Sequence, residues 1–306
     1  MRPEIVAIGE GMLELYKADA QYDAWHMGVG GDVLNVATHM ARLGSPVAFL
    51  TALGTDTLSE AMKSRWAAEG IDTSMVLSCP NRLPGLYLIE TDQMGERSFQ
   101  YWRDRSAARS LFNCDGIDNA LVRAAKAKCV YLSGITLSIF SKEERLKLIK
   151  ICSAVRAGGG IVAFDPNYRA RGWQTEDEAK DAFAAIASFV TVALPTLTDE
   201  TTLWGDKTVE ACIERWTQHG CKEVVVKLGG DGSAFKSQNG LQVVPALKDI
   251  CPIDTTGAGD GFNAAYLNAR VNGWDILSAV TSGNRLGGHI VEHRGAIAPL
   301  DFARPG

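Results

Sequence analysis

The segment Asp254-Thr255-Thr256-Gly257-Ala258-Gly259-Asp260 places a carboxylate directly after a glycine turn. Small residues at 257–259 let backbone N–H groups approach an anion. A helix predicted from this turn to about Arg270 adds the positive end of its dipole. Such a turn suits a phosphate, and an acid in its first helical turn has two readings. Asp260 is either a carboxylate favoured by the dipole, or a base facing the phosphate's reaction partner, where it orients a hydroxyl and accepts its proton.

Two arginines form a second chemical group. Arg103 follows Tyr101 in a β-prone stretch, and Arg169 closes Asp165-Pro166-Asn167-Tyr168-Arg169 after a buried run. In open α/β sheets the crevice lies at the carboxyl ends of the strands, so Arg169 should project there. Two guanidinium groups converging on one pocket suit a carboxylate, which each can hold by two parallel bonds. The competing reading makes each a solvated surface residue.

Other spacings carry less. His289-Ile290-Val291-Glu292-His293 fits the H-x-x-E-H zinc pattern, but zinc needs a third protein ligand and Asp301 is the sole acid after it. Surface or capping histidines, and no protein-held metal, are the expectation. Gly28-x-Gly30 meets Val33 at the third glycine position and does not open the first βα turn, so it is not a dinucleotide fingerprint. Seven dispersed tryptophans are expected to pack as core.

The elements that must position these residues alternate. Apolar runs at 5–8, 47–50, 130–132, 161–164, 189–193 and 224–226 read as buried strands, and 252–254 as the end of another. Helical spacing at 33–43 and 142–156 lies between them. Alternation of this kind predicts βαβ units and an α/β fold with a mostly parallel sheet covered on both faces. The stretches 86–91 and 96–103, with a turn at 92–95, read instead as a hairpin lid of about 84–104. Period-2 alternation puts Arg97, Phe99, Tyr101 and Arg103 on one of its faces, and Ser98, Gln100 and Trp102 on the other. With no repeat or linker, residues 1–306 are expected to form a single domain plus that lid.

Composition agrees with an ordinary globular protein. Of 306 residues 46% are hydrophobic and 22% charged, and the net charge is −5 with no long basic run. Binding of nucleic acid or an anionic membrane is therefore not expected. Seven scattered cysteines without a Cys-x-x-Cys pair argue against zinc and a disulfide framework. Glu4, Glu10 and Glu14 interrupt any apolar leader. A reduced, cytoplasmic protein is expected.

The segment 254–261 resembles the C-terminal signature of the ribokinase-like carbohydrate kinase family. Gly30-Gly31-Asp32-Val33-Leu34-Asn35-Val36-Ala37 resembles its N-terminal glycine signature. Two signatures in the family's order, more than 200 residues apart, are more specific than either alone. The resemblance implies a three-layer fold with a β lid and transfer of phosphate from ATP with Mg2+. It makes Gly257, Ala258, Gly259 and Asp260 the anion hole and base, and puts Gly30 to Asn35 against the sugar. Lys227-Leu228-Gly229-Gly230-Asp231-Gly232 matches the family's nucleotide-side turn, with Asn284 a further candidate for the nucleoside. One position departs. Where many members carry Asn-x-x-Glu, this chain reads Thr196-Leu197-Thr198-Asp199, so magnesium is expected to ride on the phosphates and water.

Further stretches resemble the branch of that family that phosphorylates 2-dehydro-3-deoxygluconate: Asn81-Arg82-Leu83-Pro84-Gly85-Leu86-Tyr87, Gly95-Glu96-Arg97, Tyr101-Trp102-Arg103, and Asp165 to Trp173. That likeness implies a sugar acid bound by Gly31, Asp32, Tyr87, Tyr101, Arg103 and Arg169, its carboxylate at the arginines and its far hydroxyl at Asp260. A homo-oligomer formed through the lid is implied as well. The alternatives are a fructokinase or ribokinase of the same family, or a silent sugar sensor on its fold.

Overall fold

Ile5, Val6, Ala7 and Ile8 are each fully buried, as a strand covered on both faces requires. The computed structural model describes residues 5–17, 24–91 and 97–299. In chain order its elements begin β1 (Ile5–Ile8), β2 (Met12–Lys17), β3 (Trp25–Gly30), α1 (Asp32–Arg42), β4 (Val47–Leu53), α2 (Thr57–Ala68), β5 (Val76–Ser78), β6 (Gly85–Thr91) and β7 (Arg97–Trp102). Then come α3 (Ile117–Ala124), β8 (Cys129–Ser133), α4 (Gly134–Ser138), α5 (Lys142–Ala157), β9 (Ile161–Asp165), α6 (Glu176–Ala187) and β10 (Val192–Ala193). The chain closes with α7 (Leu197–Trp204), α8 (Val209–Gln218), β11 (Glu223–Lys227), β12 (Ser233–Ser237), β13 (Gly240–Val244), α9 (Ala258–Val271) and α10 (Ile276–Val291).

Among the described residues, nine strands form one sheet in the order β13-β12-β11-β10-β9-β8-β1-β4-β5. From β11 through β5 every pairing is parallel, and β12 and β13 add an antiparallel edge. Alternate residues of β1 go to opposite cores. Val6 and Ile8 pack under α3, α5, α6 and α8, whereas Ile5 and Ala7 pack under α1, α2, α9 and α10. This is the three-layer α/β arrangement expected.

The lid is larger than a hairpin. β6 and β7 pair antiparallel as expected, but β2 and β3 extend them into a four-stranded sheet ordered β3-β2-β6-β7. Its middle pair, β2 with β6, is parallel. Tyr87 stands opposite Tyr101 and Ile89 opposite Phe99; Met12, Tyr87 and Ile89 form a small core of their own, with Phe99 packed against it. The turn expected at 92–95, and Glu96, lie outside the described residues.

Three expectations need correction. Residues 189–191 are not strand: Phe189 and Val190 donate back to Ile186 and Ala187 and close α6, leaving Val192–Ala193 as β10. Residues 252–254 are not strand either, because the N–H groups of Ile253 and Asp254 both donate to the Val291 carbonyl at the end of α10. Of the tryptophans, Trp66 and Trp216 are core, but Trp25, Trp102 and Trp274 are exposed. His289 and His293 straddle the end of α10, and a ring nitrogen of each lies within 3 Å of a carbonyl, Pro299 for one and His289 for the other. All seven cysteines are free, and only Cys251 is exposed. No helix among the described residues is long and apolar enough to cross a membrane.

Candidate active site

Three strands in the middle of the large sheet end in polar side chains: β8 in Ser133, β9 in Asp165 and β11 in Lys227. Asp165 and Lys227 are buried, and Lys227 Nζ donates to Asp165 Oδ2 at 2.6 Å. Asn263 of α9 joins them. It donates to the same carboxylate oxygen at 2.6 Å and accepts from Lys227 at 3.2 Å. A buried charge pair persists only when its remaining donors and acceptors are matched, and Asn263 supplies the match. The network thus fixes α9 against the strand ends. Asp165 also accepts from the N–H of Asn167, whose left-handed backbone turns its side chain to donate to Asp32 Oδ2 at 3.1 Å.

Gly257, Ala258, Gly259 and Asp260 lie where α9 begins. Gly257 sits in the left-handed region at φ 75, and a Cβ there would stand 2.5 Å from Ala296 Cβ, so only glycine fits. Asp254 pins this corner by accepting from Thr256 N–H at 3.0 Å and Gly295 N–H at 2.6 Å. Among the described residues no side chain caps α9; the Ala258 N–H turns back to the Thr255 carbonyl at 3.3 Å, which leaves the N–H groups of Gly259 and Asp260 for an outside acceptor. At Gly259 an added Cβ would meet nothing nearer than Lys227 Nζ at 3.5 Å. Room for an anion therefore lies over uncapped N–H groups, with a buried ammonium below.

Asp260 projects from that first turn and accepts from Asn35 Nδ2 at 2.8 Å. Burial, then the charge of Asp32 and that of Asp165, push its carboxyl up to about 7, against the Asn35 bond and Lys227. Asp32 too is raised, first by burial and then by Asp165, although Ser133, the Val33 N–H and Arg103 oppose it. Both carboxyls are thereby held above the usual carboxylate range.

The predicted acid-binding residues converge around Asp32. Gly31, at φ 140, lets α1 start against the Glu10 carbonyl. Tyr87 is buried on the lid and donates to Glu14. Its ring lies 5.9 Å from that of Tyr101, which is 47% exposed. Burial raises the Tyr101 hydroxyl, while Arg103, Arg169 and Arg171 pull it down. Arg103 pairs with buried Glu10, and Arg169 with Asp199 at 3.0 Å. Arg103 is thus held in a largely buried pair, whereas the Arg169 side chain remains 56% exposed.

The nucleotide-side candidates divide. Gly229 and Gly230 have open space where a Cβ would stand, whereas one on Gly232 would collide with the Val244 carbonyl. Lys227 points inward to Asp165 rather than along an open wall, and Thr196 bridges to it through the backbone. Asn284 is buried. It donates to the carbonyls of Val244 and Pro245 and accepts from Ser233, so it fixes β13's exit. Asp199 faces Arg169, and Glu200 is buried against Arg215 and Trp216.

Sequence reasoning missed Glu10, Glu14, Asn263 and the Lys227–Asp165 pair. Of these only Glu10, between two glycines, carried a local signal.

Comparison with known proteins fits this geometry. The model of the "pfkB family carbohydrate kinase" matches residues 2–303. A 2-dehydro-3-deoxygluconokinase of Dickeya dadantii is 40% identical, with 97% of each chain covered. One from Escherichia coli is 41% identical over 98% of this chain and 99% of its own. A fructokinase from Vibrio cholerae, solved with fructose, ADP and calcium ion bound, superposes with a TM-score of 0.81 at 25% identity, covering 97% of this chain and 95% of that one. With the family model spanning nearly every residue and relatives this similar end to end, the chain belongs to the pfkB family of carbohydrate kinases.

Proposed function

We propose that the enzyme transfers the γ-phosphoryl group of ATP to the terminal hydroxyl of 2-dehydro-3-deoxygluconate, giving the 6-phosphate. One observation carries the reading. A carboxyl whose pKa is pushed up to about 7 stands at an uncapped helix start and feels the charge of Asp32, and a tyrosine–arginine group, Tyr101 with Arg103, lies within reach of that same Asp32. The first end suits phosphoryl transfer, and the second suits the carboxylate of a sugar acid. Relatives named for that substrate, 40 and 41% identical, support the same choice.

In this reading Tyr101, Arg103 and Arg169 hold the carboxylate, and Gly31, Asp32, Asn35 and Tyr87 line the sugar's length. Asn35 fixes one oxygen of Asp260. Asp260 then aligns the attacking hydroxyl and takes its proton as the new O–P bond forms and the bond to the β–γ bridging oxygen breaks. Because the transition state is loose, alignment matters more than base strength. The open first-turn N–H groups of Gly259 and Asp260, at the turn Gly257 and Ala258 shape, stabilise charge on the transferring oxygens, with Lys227 beneath. Gly229, Gly230 and Gly232 shape the nucleotide side, and Asn284 holds the strand exit beside it. Magnesium, when it accompanies the nucleotide, neutralises phosphate charge. Asp199 is engaged by Arg169 and Thr196 offers only a hydroxyl, so the ion would be held by phosphates and water. We place the working enzyme in the cytoplasm as a homo-oligomer. Trp102, 56% exposed on edge strand β7, supports association through the lid, which light scattering would test.

A coupled assay of ADP release over a panel of sugar acids and neutral sugars tests the substrate. Turnover of the 2-keto-3-deoxy acid should exceed that of fructose and ribose by orders of magnitude. Comparable turnover of all three would refute it.

A further inference from the structure

The chain crosses between the large sheet and the lid at four places: residues 9–11, 30–31, 84–85 and 103. Glu10 meets every one. It lies within the first. At the second, a Cβ on Gly31 would strike its backbone carbonyl. At the third, its Oε1 stands 2.5 Å from where a Cβ on Gly85 would be. At the fourth, its Oε2 accepts from Arg103 Nη2. One carboxylate, only 3% exposed, therefore occupies the pivot of the lid.

Its bonding is incomplete. Among the described residues Glu10 Oε1 has no hydrogen-bond partner, and neither have Nε of Arg103 and Nε of Arg109. An unmatched buried acceptor costs about 1–3 kcal/mol, so stability alone would not select this arrangement. Two more facts point to the cleft. Arg103 is close enough to Asp32 to lower it, and its guanidinium carbon lies 6.0 Å from the centre of the Tyr101 ring. With Nη2 taken by Glu10, the remaining donors of the fork are left for another acceptor.

We propose that Glu10 is a positioning residue for the acid end of the substrate: from the lid pivot it holds one arm of Arg103, aiming the other donors at the sugar acid's carboxylate. The inference rests on the substrate reading above. Glu10 is buried and acts on the substrate only through Arg103. Its removal should therefore weaken binding of the acid sugar and leave ATP alone.

The test is a double-mutant cycle on the full-length enzyme, with steady-state KM for the 2-keto-3-deoxy acid and for ATP, kcat, and thermal midpoints. E10Q should raise KM for the acid roughly tenfold or more, the scale of one charge-assisted bond, with KM for ATP unchanged. In an R103A background E10Q should add nothing further to KM. E10D retains the charge one methylene short of Arg103. It should show a smaller rise in the same KM and covers the case in which E10Q does not fold. An unchanged KM in E10Q or E10D, or a full second penalty in the R103A background, overturns the inference. A wild-type enzyme that fails to phosphorylate the acid removes the substrate reading itself, a result visible before any variant is made.

Discussion

Asn35 and Asp260 lie 225 positions apart in the chain and 2.8 Å apart in space, amide to carboxylate. Asn35 comes from the first glycine signature and Asp260 from the second. The bond engages Oδ2 of Asp260 and stabilises the ionised form. Replacing Asn35 with Ala should therefore move the acidic limb of the kcat profile upward from its starting point near 7. A limb that stays in place would show that another group controls it.

Replacing Asp260 with Asn keeps the shape and removes the proton acceptor. We expect kcat to fall roughly 10²–10⁴-fold while ATP still binds, measured by titration calorimetry with a non-hydrolysable analogue. Near-normal turnover would remove Asp260 from the mechanism.

The same substitution should stabilise the fold at high pH. The Asp260 carboxyl is raised from 3.8 to about 7 on folding, so between those values the unfolded chain holds fewer protons than the native one. Stability from this group is present at low pH and lost as pH rises through about 7. The Asp260→Asn enzyme should thus melt higher than the parent at pH 8, with the gap closing toward pH 4. A constant gap across that range would contradict the assignment.

Gly257 and Gly259 should respond differently to alanine. At Gly257 the added methyl meets Ala296 and the backbone is left-handed, so Gly257→Ala should lose about 1–3 kcal/mol of stability as well as activity. At Gly259 the fold has room. Gly259→Ala should melt like the parent yet lose kcat, because the methyl stands where phosphate oxygens must come. Equal melting of both variants, or full activity in Gly259→Ala, would count against the anion hole.

For Arg169 the split lies between substrates. Arg169→Ala should raise KM for the acid sugar roughly 10- to 100-fold and KM for ATP far less. The exposed pair with Asp199 should add little to stability, so the thermal midpoint should hardly move. Equal effects on both KM values would argue against a carboxylate clamp.

The large sheet was legible because buried parallel strands are written as unbroken apolar runs, and 5–8 became β1 without change. The other half of the lid was not. β3 holds two glycines in six residues and has little strand propensity, and it is strand because β2 pairs with it residue for residue. Residues 252–254 looked like strand for their apolar Ile253, which is 63% exposed. The glycine turn before Asp260 was legible, and α9 begins there. Lys227, Asp165 and Asn263 lie 36 to 98 positions from one another, and no local pattern announces a bond between such residues.

The parallel pairing of β2 with β6 sets an order of assembly. Glu14 and Tyr87 are neighbours across it, yet 73 positions separate them, and the chain between them includes α1, β4 and α2 of the main body. Closing so long a loop is entropically costly until the intervening chain has folded. An excised lid of residues 84–104 would lack the two strands that flank it on one side. The four-stranded lid sheet is thus expected to close after the main body, so a newly made chain should gain its body first.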